Sequence, residues 1–180
     1  MADGAPETAP ETAPEITPKT TPETAPESPA PIAVSVRRED FDIAAEIAAL
    51  TAGRADVGAV ATFTGLVRDL AGGLTGFELE HYPGMTERAL EDIAADAAAR
   101  FPLQGLRIIH RYGPLSPGDR IVLVVAASRH RQAAFDGCNF VMDYLKTRAP
   151  FWKRETTADG GAGWVDARDA DHEAAERWRR

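Results

Sequence analysis

From Ile32 onward, apolar and polar positions recur with two distinct periods, and those periods separate helices from strands. Asp40 stands before a helical stretch ending at Leu50, with Phe41, Ala44, Ile47 and Ala48 on one face and Gly53 as its stop. Residues 57–64 read as a strand of β-branched and small side chains that runs out at Gly65. Over 77–82 the chain alternates, Phe77, Leu79 and His81 facing one way and Glu78, Glu80 and Tyr82 the other. Pro83-Gly84 makes a turn, and Thr86 is placed to cap a helix to Arg100 with Leu90, Ile93, Ala94 and Ala97 inward. Another strand covers 106–112, followed by a turn over 114–119. The uninterrupted apolar run 121–127 marks a strand buried on both faces. Ser128 is placed to cap the next helix, whose apolar face is Ala134, Phe135, Cys138, Val141, Met142 and Leu145. Pro150 ends that helix, because the residue before a proline avoids the helical region. Short strands over 151–155 and 164–167, then a helix over 170–178, complete the order βαββαββαββα. Paired strands between single helices predict an α+β domain rather than a doubly wound parallel sheet.

Composition divides the 180 residues in two. Residues 1–31 hold 8 of the 13 prolines, in repeats close to Ala-Pro-Glu-Thr, with six acids against Lys19. With almost no large apolar side chain, this stretch cannot offset its ordering entropy, so a disordered, solubilising tail is predicted. It lacks the basic start and apolar run of a signal peptide. Residues 32–180 form one domain, with 22 acids against 19 bases, too even a balance for general nucleic-acid binding. No run approaches the length of a membrane span. The single cysteine excludes a disulfide framework or a four-cysteine metal site, and a cytoplasmic protein is expected.

Lysine usage changes the picture most. All 17 arginines lie beyond residue 31, but only two lysines do, Lys146 and Lys153, and they bracket Thr147-Arg148-Ala149-Pro150-Phe151-Trp152. Arginine is always charged, whereas a desolvated lysine can lose its proton and act as nucleophile or base. A site needing an amine would resist replacement by arginine, although two surface lysines could also fall close together by chance. Ser128-Arg129-His130-Arg131 sits where the buried strand meets the long helix. A helix start offers free N–H groups and a positive dipole end, so this junction is a candidate anion site, or else locally packed surface side chains. Arg68, following Thr64-Gly65-Leu66-Val67, is a third candidate. Cys138 falls on an apolar helix face, which favours an inert thiol. His81 and His110 point inward on strands, and Glu78 with Glu80 reads as a solvated strand face. No residues have metal-ligand spacing, so neither metal nor cofactor is expected. Together these features point to acyl- or group-transfer chemistry on an anionic substrate.

The same residues carry a family resemblance. The stretch from Val57 through Thr64-Gly65-Leu66-Val67-Arg68 resembles the opening motif of the molybdopterin synthase catalytic (large) subunit family, MoaE. Leu79-Glu80-His81-Tyr82-Pro83-Gly84-Met85-Thr86-Glu87, Ile109-His110-Arg111 with Gly113, Pro117-Gly118-Asp119, and Ser128 with His130-Arg131 continue it. The most specific block is Met142-Asp143-Tyr144-Leu145-Lys146-Thr147-Arg148-Ala149-Pro150-Phe151-Trp152-Lys153-Arg154-Glu155, and Trp164-Val165 and Ala167-Arg168 close a match over about 34–178. The resemblance implies an α/β-hammerhead-like single domain with an antiparallel or mixed sheet. It implies a homodimer within a heterotetramer, each end holding a small ubiquitin-like sulfur carrier whose C-terminal Gly-Gly ends in a thiocarboxylate. The implied reaction moves that sulfur onto cyclic pyranopterin monophosphate to form the molybdopterin dithiolene. By the same resemblance Lys146 and Lys153 are the catalytic residues. Leu66, Val67, Arg68, His130, Arg131, Arg154 and Glu155 then line the pocket with them. The competing expectations are a non-catalytic module that binds a ubiquitin-like partner or phosphorylated ligand, and a sulfurtransferase using a Cys138 persulfide. The Pro-Glu-Thr tail lies outside the family pattern.

Overall fold

The computed structural model describes residues 31–69, 73–157, 162–165 and 169–179. The expected tail, save for Pro31, and the closing Ala167-Arg168 lie outside the described residues. Among the described residues, eight strands and four helices follow the order β1 (Ile32–Arg37), α1 (Ile43–Thr51), β2 (Ala59–Leu66), β3 (Leu74–His81), α2 (Met85–Arg100), β4 (Leu103–Arg111), β5 (Gly113–Leu115), β6 (Arg120–Ser128), α3 (Arg131–Arg148), β7 (Phe151–Thr157), β8 (Ala162–Val165) and α4 (Asp169–Glu176), with a closing 3₁₀ turn over Arg177–Arg179. The architecture is α+β with two four-stranded sheets. One has the order β1-β4-β6-β2 and the other β5-β3-β7-β8. Only β1 and β4 run parallel; the other pairs are antiparallel.

β6 is buried on both faces of the first sheet, as the apolar run over 121–127 predicts. Val122, Val124 and Ala126 join Leu106 and Ile108 against Leu90, Ile93 and Ala97 of α2 and Ala134, Val141 and Leu145 of α3. On the other face Leu123, Val125 and Ile109 meet Phe41 and Leu50 around α1. A third cluster, Val67, Phe77, Leu79 and Leu115, fills the inner face of the second sheet. Ile121 and Phe151 pack against both this cluster and the main core, joining the two sheets.

Local capping departs from the sequence pattern at the starts of α1, α2 and α3. Asp42, not Asp40, caps α1, its Oδ1 accepting from the Ala44 and Ala45 amides at 2.9 and 3.2 Å. Asp40 is instead held by Arg120, 80 residues away. The α1 face differs too: Leu50 is buried while Ala44 and Ala48 are exposed, because Ile43, Ile47 and Leu50 form the stripe facing the sheet. Gly84 begins α2 at φ 80°, a region that suits glycine, and its amide donates to Glu87 Oε2 at 2.6 Å. Thr86, the second residue of α2, is fully buried; its hydroxyl accepts from the Tyr82 amide and donates to the Pro150 carbonyl. Ser128 still belongs to β6 and donates to the Pro102 carbonyl at 2.9 Å, so His130 occupies the cap of α3 without a side-chain bond. Phe135 is 57% exposed rather than inward, its place taken by Gly137, Phe140 and Tyr144. Residues 114 and 115, read as the start of a turn, join Gly113 in the edge strand β5 beside β3.

Candidate functional site

β7 carries the second lysine, and its pleat sorts the motif into two faces. Opposite β3, Phe77 pairs with Glu155, Leu79 with Lys153 and His81 with Phe151. Lys153 and Glu155 therefore point the same way as Phe77 and Leu79, toward the Val67 cluster. Lys153 Nζ is ion-paired with Glu155 and stands 5.3 Å from the centroid of the Phe77 ring. Arg154 lies on the opposite, outer face beside exposed Trp152 and is ion-paired with Glu78. The structure thus brings Lys153 and Glu155 together and turns Arg154 away from them.

Lys146 sits in the last turn of α3, half-exposed, with its Nζ 2.9 Å from Asp171 Oδ1 of α4. α4 is held there by its own anchors. Asp143 Oδ2 accepts from Arg177 at 2.6 Å and from Trp178 Nε1 at 2.7 Å, and the Trp178 ring meets Phe101 and Phe140 edge-on. Asp171 is a partner that sequence reasoning missed, since a residue 25 positions away on a charged helix gives no signal of where it docks.

Val67 is buried at the end of β2. Its amide donates to the Asp119 carbonyl and its own carbonyl accepts from Gly118, both at 2.8 Å. These bonds fix the loop so that Leu66 and Arg68 on either side are exposed. Val67 shares its cluster with Phe77, which places this loop on the Lys153 side of the second sheet. His130 and Arg131 are exposed at the opposite end of α3 from Lys146. At about 1.5 Å of rise per residue, the helix separates them by roughly 22 Å.

Titrating groups are perturbed on and near these elements, and the Glu78 carboxylate holds the Arg154 guanidinium still further above its usual range. Burial pushes the Cys138 thiol up to about 11, so it is protonated at neutral pH. Burial also pushes the His110 imidazole down to about 4; it packs face to face on Phe151 at 3.7 Å between centroids. For Glu87, burial raises the carboxyl, but its own amide, that of Gly84 and the nearby His81 outweigh burial and leave it lowered. Among the described residues no group of His, Cys, Asp or Glu side chains could hold a metal ion. No helix among them is long and apolar enough to cross a membrane.

An α+β domain with two lysines on adjoining elements, each beside a carboxylate, and an exposed basic helix start has the features that suit a group-transfer protein for anionic ligands. A family model described as MoaE protein matches residues 36–148. The molybdopterin synthase catalytic subunit of Mesorhizobium japonicum is 63% identical over 147 residues, 81% of this chain and 92% of that protein. Its counterpart in Rhizobium meliloti is 60% identical over 152 residues, covering 84% and 98%. Among solved structures, a molybdopterin biosynthesis MoaE protein from Burkholderia ambifaria superimposes with a TM-score of 0.71 at 54% identity, covering 84% of this chain and 99% of that one. The crystal structure of molybdopterin synthase from Staphylococcus aureus matches at 0.66 and 30% identity, covering 72% and 94%. The chain belongs to the MoaE family.

Proposed function

We propose that this chain is the catalytic subunit of a molybdopterin synthase. It transfers sulfur from the C-terminal thiocarboxylate of a small ubiquitin-like carrier to cyclic pyranopterin monophosphate, forming the molybdopterin dithiolene. The observation that carries the reading is 63% identity to a molybdopterin synthase catalytic subunit across 81% of the chain. A cytoplasmic location belongs to the same proposal.

Each transfer breaks the carrier's C–S bond, so the acyl carbon must pass to an acceptor, either water or an amine. Lys146 serves there, as transient nucleophile or as proton donor to the substrate carbon. Lys153, paired with Glu155 and backed by an aromatic ring, holds the thiocarboxylate and stabilises charge developing on it. The sulfur arrives already activated on the carrier, so no enzyme thiolate is needed; the protonated, buried Cys138 supports that reading.

His130 and Arg131, with the free amides of the α3 start, suit a phosphate, and Arg68 stands beside the Val67 loop to receive an anion. Because α3 holds the two ends of this set apart, the homodimer reconciles them: one copy's helix start completes a pocket whose lysines come from the other. Arg154, on the outer face, meets the carrier rather than the pterin.

The test is reconstitution. The purified chain is mixed with thiocarboxylated carrier and cyclic pyranopterin monophosphate, and molybdopterin is detected through its fluorescent oxidised derivative. Product that depends on the chain is expected. Carrier binding without product would overturn the enzyme assignment in favour of a binding module.

A further inference from the structure

The two lysines differ in what surrounds the ammonium, and the difference gives a role to a residue that neither the motif nor the charge pattern singles out. We propose that Phe77 is a positioning residue: its ring face, together with the Glu155 carboxylate, holds the Lys153 ammonium at one place above the second sheet. The proposal rests on reading Lys153 as part of the sulfur-transfer site.

The register makes the arrangement. Phe77 and Glu155 are direct cross-strand neighbours, and Lys153 stands two residues before Glu155 on the same face, diagonal to Phe77. A diagonal neighbour is within reach of a long side chain, and Lys153 Nζ is 5.3 Å from the Phe77 centroid. Glu155 neutralises the same ammonium from its own strand, so the nitrogen is bounded by a ring and a carboxylate set side by side by one β-pair. Phe77 is itself buried, 6% exposed and packed among Val67, Leu79 and Leu115, so its ring has little room to turn away. The Lys153 side chain keeps 31% of its exposure, enough for an anion to approach from the open side.

The physical consequence follows from lysine's flexibility. A free ammonium on a four-carbon stem samples many rotamers, and confining it at the moment of reaction costs entropy. A ring quadrupole beneath it confines it beforehand, and the attraction is strongest for a partly desolvated cation. Among the described residues, Lys146 pairs with Asp171 across the surface, with no ring set beneath its ammonium.

Two replacements separate positioning from packing. A trifluorinated phenylalanine at position 77 keeps the shape of the ring and drains charge from its face, while Phe77→Leu removes the ring. Each variant is assayed for molybdopterin formation with thiocarboxylated carrier, for thermal unfolding, and for trace acylation of Lys153 relative to Lys146 by peptide mass spectrometry. With the fluorinated ring, kcat should fall about three- to tenfold with the KM for the carrier held. Lys153 should acylate faster while Lys146 does not change. Phe77→Leu should show the same labelling change and a lower melting temperature. Unchanged Lys153 labelling with the fluorinated ring overturns the hold, whatever happens to turnover. Faster labelling with unchanged kcat overturns the link to catalysis; if Lys153→Ala is then also fully active, the reading of Lys153 as catalytic falls with it.

Discussion

Lys146 and Lys153 stand seven residues apart, but one ends a helix at the surface and the other lies on a strand between a ring and a carboxylate. Arginine at 146 would keep the charge and lose the compact, deprotonatable amine. Lys146→Ala and Lys146→Arg are therefore expected to abolish molybdopterin formation while thermal unfolding stays within a few degrees of the parent, because the residue is half-exposed. Cys138→Ala should retain turnover and cost only about 1–2 kcal/mol of stability from the small void it leaves. A dead but folded Cys138→Ala enzyme would revive the persulfide route.

His110 predicts a pH response of the fold. Its imidazole is neutral when buried and titrates at about 4, against about 6.5 in an unfolded chain. Above the unfolded value neither state binds the proton, and His110 leaves stability unchanged. As pH falls from there toward the folded value, only the unfolded chain gains the proton, so stability is lost. Urea unfolding should show a loss of about 2 kcal/mol between pH about 7 and about 5 from this group. His110→Phe should flatten that part of the profile.

At the scale of elements, the junctions around α3 decide where the chemistry stands. Gly58, just before β2, donates its amide to the Ser128 carbonyl at 3.0 Å, and a Cβ there would lie 2.4 Å from the Arg129 carbonyl oxygen. That oxygen is backbone and cannot swing aside. Gly58→Ala should thus push the His130–Arg131 helix start out of place, with a cost of about 1–3 kcal/mol and weaker binding of the phosphorylated substrate, read as a raised KM. The helices were legible as periodic stripes, but their caps were not. Asp40 has the residue type of a cap but stands two positions before Asp42, where the helix actually begins, and it pairs with Arg120 instead. Thr86 and Ser128 were likewise claimed by the carbonyls of Pro150 and Pro102. β5 escaped detection because three residues with a central proline resemble a turn until β3 lies beside them.

For the whole molecule, the repeat-rich start and the domain beyond it form separate proposals about organisation. The tail lies outside the family pattern. Removing residues 1–30 should leave the melting temperature and the rate of sulfur transfer unchanged, measured by calorimetry and by the reconstitution assay. Loss of either would give the tail a structural or docking role.

The sequence by itself determined the α+β class, the doubly buried strand, the inward-facing Phe77, Leu79 and His81, and the two lysines as the positions to watch. These follow from periodicity and residue chemistry, which act over a few residues and are written locally. Only the tertiary structure decided that β7 pairs with β3, so that Lys153 and Glu155 share a face with Phe77 while Arg154 joins Glu78 on the other. It also brought Asp171 to Lys146. Strand register and helix docking are settled by contacts between segments about 25 to 80 residues apart. The free energy of those contacts comes from packing whole faces together, and no short stretch of residues contains it.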